Sequence, residues 1–243
     1  MSRATTAQRK LPRLLQAGLA ASTSIELDRS KAHYLLDVMR LKVGDQVRLF
    51  NGQDGEWLAG IAEAGRRSCR LTVGERLRPP EEETGPTLLF APIKKARMEM
   101  LVEKATELGV GRLMPVRTRR SIVDKVNTER LNTIAIEAAE QCERLTVPEI
   151  SELQTLDRVL DGWPDDAPLY VADESGNGHP VLKALQPGRS AAFLIGPEGG
   201  FDPAELERLG EHPAVVKVDL GPRILRAETA GMVVLVIFNC KCV

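Results

Sequence analysis

Phe193-Leu-Ile-Gly-Pro-Glu-Gly-Gly-Phe201 is the stretch whose reading decides the fold. Ala191 to Ile195 is an unbroken apolar run bounded by turn-forming residues and too short for a helix, so it predicts a buried strand. Gly196-Pro197 ends that strand, and Gly199-Gly200 lets the backbone approach whatever lies in the turn. Asp202-Pro203-Ala204-Glu205 then predicts a helix start, with Asp at the N-cap, Pro at the first helical position and Glu closing a capping box. An echo lies 25 residues further on, in Leu220-Gly-Pro-Arg-Ile-Leu-Arg-Ala-Glu-Thr-Ala230. A strand that runs into a glycine-rich turn and then a helix is where open α/β sheets hold ligands. A purely structural reading, two tight turns that need glycine for geometry alone, competes with this. Two turns with nearby acids, the second also with two arginines, favour a site.

Working outward, the C-terminal part alternates strands and helices. Thr87–Ala91, Arg112–Val116, Leu169–Ala172, residues 191–195 and Val215–Leu220 read as strands. Lys94–Leu108, Thr128–Leu145, Pro180–Leu185 and residues 203–210 read as helices, Gly109 stopping the first of them. Such alternation predicts a mainly parallel sheet covered on both faces. Ala227–Cys240 is ambiguous, because Val233-Val-Leu-Val-Ile-Phe238 favours strand by propensity and the segment's length favours a buried helix. The N-terminal part is different. Residues 24–28, 46–50, 55–63 and 68–77 read as short strands, with one helix from about Ser30 to Arg40 presenting Ala32, Leu35, Leu36 and Met39. That pattern predicts a small, partly closed β-barrel. Arg78-Pro-Pro-Glu-Glu-Glu-Thr-Gly-Pro86 has the composition of a linker, which predicts domains at 1–80 and 81–243.

The chain of 243 residues has a net charge of −1, which conceals an asymmetry. Residues 1–80 hold 14 Lys and Arg against 8 Asp and Glu, and the remainder holds 19 against 26. A basic module joined to an acidic one suggests that the first meets a polyanion. Met1–Lys10 reads as a frayed polar leader without the apolar run of a signal peptide, and no stretch is long and apolar enough to span a membrane, so a cytoplasmic protein is expected. Cys69, Cys142, Cys240 and Cys242 show no metal-ligand spacing and read as reduced thiols. His33, His179 and His212 suggest no metal site either. No G-x-G-x-x-G follows the first strand of the α/β part, and no phosphate-binding G-x-x-x-x-G-K-[ST] occurs.

The two Gly-Pro stretches closely resemble the paired signatures of the RsmE family, the 16S ribosomal RNA uracil-N3 methyltransferases of the SPOUT superfamily. Lys95-Ala-Arg-Met-Glu-Met-Leu-Val-Glu-Lys-Ala-Thr-Glu-Leu-Gly-Val110 is similar to a further family stretch. So is Ala138-Ala-Glu-Gln-Cys-Glu-Arg144 with Val147-Pro-Glu-Ile150, and His33-Tyr-Leu-Leu-Asp-Val-Met-Arg-Leu41 resembles part of the family's PUA-like barrel. One departure is Arg13-Leu14-Leu15, where the family usually has Arg followed by two aromatic residues. The resemblance implies an S-adenosyl-L-methionine-dependent enzyme that methylates N3 of uracil 1498 in 16S rRNA, free or in the small subunit. It also implies a homodimer, no metal, and a deep trefoil knot with loops at about 171–176, 194–201 and 219–226. The final segment is then a helix at the dimer interface.

On these residues the resemblance places the cofactor against Leu194, Ile195, Gly196, Pro197, Gly199, Gly200, Leu220, Gly221, Ile224, Leu225, Thr229 and Ala230. Uracil N3 carries a proton at neutral pH, so Arg226 is expected to stabilise the anion developing on the base's carbonyl oxygens. Glu198 or Glu228 is expected to accept the proton, and the residues alone leave that choice open. RNA phosphates are expected to meet Arg13, Arg40, Lys42, Arg66, Arg67 and Arg70, with Arg117, Arg119 and Arg120 extending the surface. The alternatives are an inert RNA-binding or ribosome-assembly module of the same fold, against which the intact glycines and Arg226 count, and a SPOUT enzyme acting on another nucleotide.

Overall fold

The computed structural model describes residues 8–81, 83–172, 178–186 and 190–242. In chain order the strands and helices are β1 Arg13–Leu15, β2 Ser24–Glu26, α1 Arg29–His33, β3 Gln46–Asn51, β4 Gly55–Ala64, β5 Cys69–Arg78, β6 Thr87–Phe90, α2 Lys95–Glu107, β7 Arg112–Arg117, α3 Thr128–Cys142, β8 Glu149–Ile150, β9 Gln154–Thr155, α4 Leu156–Asp161, β10 Leu169–Ala172, β11 His179–Pro180, α5 Val181–Ala184, β12 Ala192–Ile195, α6 Pro203–Glu211, β13 Val215–Asp219 and α7 Ala227–Cys242. Two compact units result, Met1–Glu82 with Ala139–Thr146 and Glu83–Ala138 with Val147–Val243.

In the second unit every ladder is parallel, in the order β11-β13-β10-β12-β6-β7-β8, with β9 also on β7. The opening stretch explains why this sheet is covered on both faces. Phe193 and Ile195 point to one side and join Leu88, Phe90 and Tyr170 against α2, α3 and α7. Ala192 and Leu194 point to the other side and join Leu89, Leu169 and Val171 against α4 and Leu209 of α6. The two-residue period of a strand therefore splits one apolar run between two cores. Phe193 anchors the first core, tilted on Tyr170 at 5.6 Å and edge-on to Phe238 of α7 at 6.3 Å.

The last segment is a helix. Val234, Leu235 and Phe238 are buried at helical spacing, and Asn239 Nδ2 donates to Leu108 O at 2.8 Å. Burial against α2 and β12 overrides the β-propensity of its valines. Helix α2 stops as expected at Gly109 (φ 81°), with the amides of Gly109 and Val110 returning to the carbonyls of Thr106 and Ala105. Helix α3 ends at Cys142, short of the expected Leu145, because Glu143 turns into a positive φ of 65°. Among the described residues no helix is long and apolar enough to cross a membrane.

The first unit is a five-stranded sheet in the order β1-β3-β4-β5-β2, antiparallel except for β1 on β3. Among the described residues no ladder joins β1 to β2, so closure is partial. The expected helix from Ser30 to Arg40 is α-helical only to His33. It then widens into a π turn over Tyr34–Val38, where Met39 N reaches Tyr34 O, and Arg40 ends it at φ 56°. This wider turn leaves Met39 exposed while Ala32 and Leu35 stay buried.

Inside this unit lies a buried charge cluster that corrects one expectation. Arg13, expected to contact RNA phosphates, is only 5% exposed. Its Nε donates to Glu56 at 2.6 Å, its two terminal nitrogens donate to the carbonyls of Ala139 and Arg144, and its guanidinium lies 3.4 Å over the Phe50 ring. Arg48 and Arg78 also face Glu56, which is fully buried. A fork with this many partners is committed to the interior, because a buried charge must be paired and its protons accepted. Burial pulls the Arg13 guanidinium below its ordinary value, and Glu56 acts in the opposite direction. Segment Ala139–Thr146 completes the cluster, the Glu143 carboxylate accepting from Arg48 at 2.9 Å and the Glu143 carbonyl accepting from Arg78 at 2.7 Å.

Candidate active site

Strands β10, β12 and β13 are neighbours and end on the same side of the sheet, which brings the two Gly-Pro turns together. Between them is a cavity of about 750 Å³. Ile195, Gly196, Pro197, Glu198 and Gly200 line it from the first turn, and Leu220, Gly221, Ile224, Leu225 and Arg226 from the second, with Ala230 from the first turns of α7. Gly221 has φ 116°, a conformation side chains rarely adopt, and the carboxylate of Asp219 fixes the bend by accepting its amide at 3.0 Å. Gly196 is needed for space, since a Cβ there would lie 2.7 Å from the Phe201 ring.

Not every expected residue reaches the cavity wall. Leu194 points away from Ile195 into the opposite core, as strand alternation requires. Gly199 stands off the wall and accepts from Arg120 at 3.0 Å. Thr229 is half-buried in the first turn of α7. Glu228 is 4% exposed behind the wall, with one carboxylate oxygen that has no hydrogen-bond partner among the described residues. Of the expected loop 171–176, the residues beyond Ala172 lie outside the described residues.

Several lining residues had no signal in linear spacing. Arg97, in the first turn of α2, pairs with Glu198 and lies 3.6 Å from Glu228, so it ties the first turn to the start of α7. It is brought there because β6, which leads into α2, is the neighbour of β12. Phe201, Asp219 and Arg223 also line the cavity.

Asp202 and Glu205 form the expected capping box at the start of α6. Glu205 does more, since one oxygen accepts Asp202 N at 2.9 Å and the other accepts Arg119 N at 2.7 Å. The Arg119 guanidinium reaches Asp202 at 3.2 Å, so Arg119 and Arg120, expected on the RNA surface, brace the loop beside the cavity. Arg117 is exposed.

In the first unit Arg40 and Lys42 are exposed. Arg66 and Arg67 line a separate recess of about 550 Å³ with Arg29 and His33. Arg70 is exposed and paired with Glu63 at 2.8 Å and Glu26 at 3.4 Å.

Comparison with known proteins agrees with this arrangement. Residues 80–239 match the RNA methyltransferase domain family and residues 27–78 match the RNA methyltransferase PUA domain family. The chain is 36% identical to ribosomal RNA small subunit methyltransferase E of Rickettsia conorii over 90% of each chain. It is 30% identical to the Bacillus subtilis protein of the same name over 94% of each. The crystal structure of ribosomal RNA small subunit methyltransferase E from Neisseria gonorrhoeae bound to S-adenosyl methionine superposes with a TM-score of 0.85 at 25% identity, covering 95% of this chain and 97% of that one. A basic PUA-type unit, a parallel sheet with two glycine turns facing one cavity, and these matches lead to one conclusion: the chain is a methyltransferase and belongs to the ribosomal RNA small subunit methyltransferase E family.

Proposed function

We propose that this protein uses S-adenosyl-L-methionine to methylate N3 of uracil 1498 in 16S ribosomal RNA. The observation that carries the reading is the convergence of both Gly-Pro turns on one cavity, with the exposed guanidinium of Arg226 at its rim. The donor set fits the cofactor. Ile195, Leu220 and Leu225 give apolar walls, and the backbone at Gly196 and Gly221 can be approached closely. When bound, the cofactor supplies an electrophilic methyl group. The residues of the chain must then align the base, remove the N3 proton and stabilise the resulting anion.

Arg226 is suited to the last task, because its charge makes no ion pair among the described residues and faces the cavity. Of the two candidate acids, Glu198 faces the cavity and Glu228 is shut behind Arg97. Glu198 is therefore the carboxylate that can take the proton, and Arg97 keeps it aimed. The same reading makes the protein a cytoplasmic homodimer with a knotted C-terminal region and α7 at the interface. The exposed Val236 on that helix supports the interface.

The test is methylation of small subunits, or of free 16S rRNA, from a strain lacking the enzyme, followed by nucleoside mass spectrometry. N3-methyluridine at the one site is expected, and Glu198→Gln lowers kcat more than it changes cofactor affinity. A different methylated nucleoside, or none, refutes the assignment. Light scattering that gives a monomer refutes the dimer.

A further inference from the structure

Five arginines surround the cavity and its loops, and they fall into two groups. Arg97, Arg119 and Arg120 are committed to Glu198, Glu228, Glu205, Asp202 and the Gly199 carbonyl. Arg223 and Arg226 are exposed on the cavity wall, and among the described residues neither guanidinium has a hydrogen bond or ion pair. Between them stands Ile224, which is 83% exposed. A single exposed aliphatic side chain is ordinary on a protein surface, so what marks this one is its place between two exposed guanidinia at the mouth of the cavity. Its presentation is built into the turn. The Asp219–Gly221 hydrogen bond sets the bend, Leu225 turns inward against the core, and Arg226 O accepts the amide of Ala230 as α7 begins.

We propose that Arg223, Ile224 and Arg226 form the seat of the target nucleotide, with Arg223 on the flanking phosphate and Ile224 against the face of the base. This rests on the reading that the substrate is RNA. Charge complementarity decides the occupant. Two guanidinia without partners among the described residues, on either side of one apolar side chain, match a nucleotide, which brings an anionic phosphate beside a flat ring. A base that reacts at N3 must leave its pairing and stacking, and an apolar contact at the cavity mouth replaces part of the stacking it gives up. Arg223 and Ile224 are thus positioning residues, and Arg226 reaches the reacting ring.

The experiment measures steady-state kinetics with small subunits varied at saturating S-adenosyl-L-methionine, across a range of salt, with cofactor binding followed separately by calorimetry. Arg223→Ala should raise KM for the subunit about tenfold, leave cofactor affinity unchanged, and reduce the salt slope of kcat/KM by about one. Arg223→Lys should restore the slope, because a lysine also neutralises a phosphate. Ile224→Ala should raise KM several-fold at an unchanged salt slope. Wild-type KM in Arg223→Ala or Ile224→Ala overturns the proposal. So does a loss of cofactor affinity with an unchanged salt slope, which assigns Arg223 to the cofactor. A fall in molecular mass overturns it too, since it assigns Ile224 to a second copy of the chain. If the wild-type protein makes no N3-methyluridine, the proposed function fails instead.

Discussion

Replacing Arg13 with alanine separates the two roles this residue can have. The guanidinium donates to Glu56, Ala139 O and Arg144 O and covers the Phe50 ring. Each buried acceptor left without its partner costs about 1–3 kcal/mol. Glu56 keeps Arg48 at 3.4 Å and Arg78 at 3.7 Å, so its charge is not abandoned. Losing one member of such a cluster then costs about 3–5 kcal/mol. For a unit of this size each kcal/mol lowers the melting temperature by about 4–8 °C, so a fall of roughly 12 °C or more is expected. Scanning calorimetry should show it in the transition of the first unit, and limited proteolysis should cut that unit earlier. Arg13→Lys should fall between the two, keeping the charge without the fork. An Arg13→Ala protein that melts like the wild type but binds RNA more weakly, with a shallower salt dependence, would falsify the interior role.

Arg120→Ala should free the Gly199 carbonyl and weaken cofactor binding by about 1 kcal/mol, or roughly fivefold. KM for the small subunit should stay put, and a change in the subunit KM alone would return Arg120 to the RNA surface. Gly196→Ala should push the Phe201 ring aside at a cost of about 1–3 kcal/mol, seen as weaker cofactor binding in calorimetry. Gly199→Ala meets nothing within 4 Å and is the control, so equal losses in the two variants rule out the packing argument. Asp54 accepts from the Asn51 side chain and the Leu19 amide, which hold its carboxyl below the usual range. A depressed folded value stabilises above the unfolded one and is lost as pH falls through the folded one. The stability deficit of Asp54→Asn should therefore shrink below about pH 4 in a pH series of thermal melts. A deficit constant with pH refutes this.

Local chemistry was legible where it depends on neighbours in sequence. The strand at Phe193, the Asp202–Glu205 capping box and the Gly109 stop all follow from residues within a few positions of one another. The two turns were legible as a pair because each repeats the same order of strand, glycine and acid. Strand order was not legible, and it decides the rest. Arg97 belongs to the site only because β6 lies beside β12. Arg119 and Arg120 look like free surface cations until α6 is placed beside them. Arg13 looked basic and exposed because its partners lie 43 to 131 positions away. Charge at a position is written in the sequence, whereas what pairs with it is written in the topology. The α7 segment is the opposite case, because its valines argue for a strand and only the core it fills makes it a helix.

The capture of Ala139–Thr146 by the first unit has a consequence for how the chain is made. Residues up to Glu82 emerge from the ribosome without the carbonyls that Arg13 needs. At about 5–20 residues per second, several seconds of synthesis separate the last strand of that unit from the segment that completes it. During that interval three arginines share one acid and lack their remaining partners, so every strand of the first unit is synthesised before its charge cluster can be completed. A fragment ending at the proline-rich linker lacks those partners altogether, and in the full chain the cluster can be completed only once residue 146 has left the ribosome.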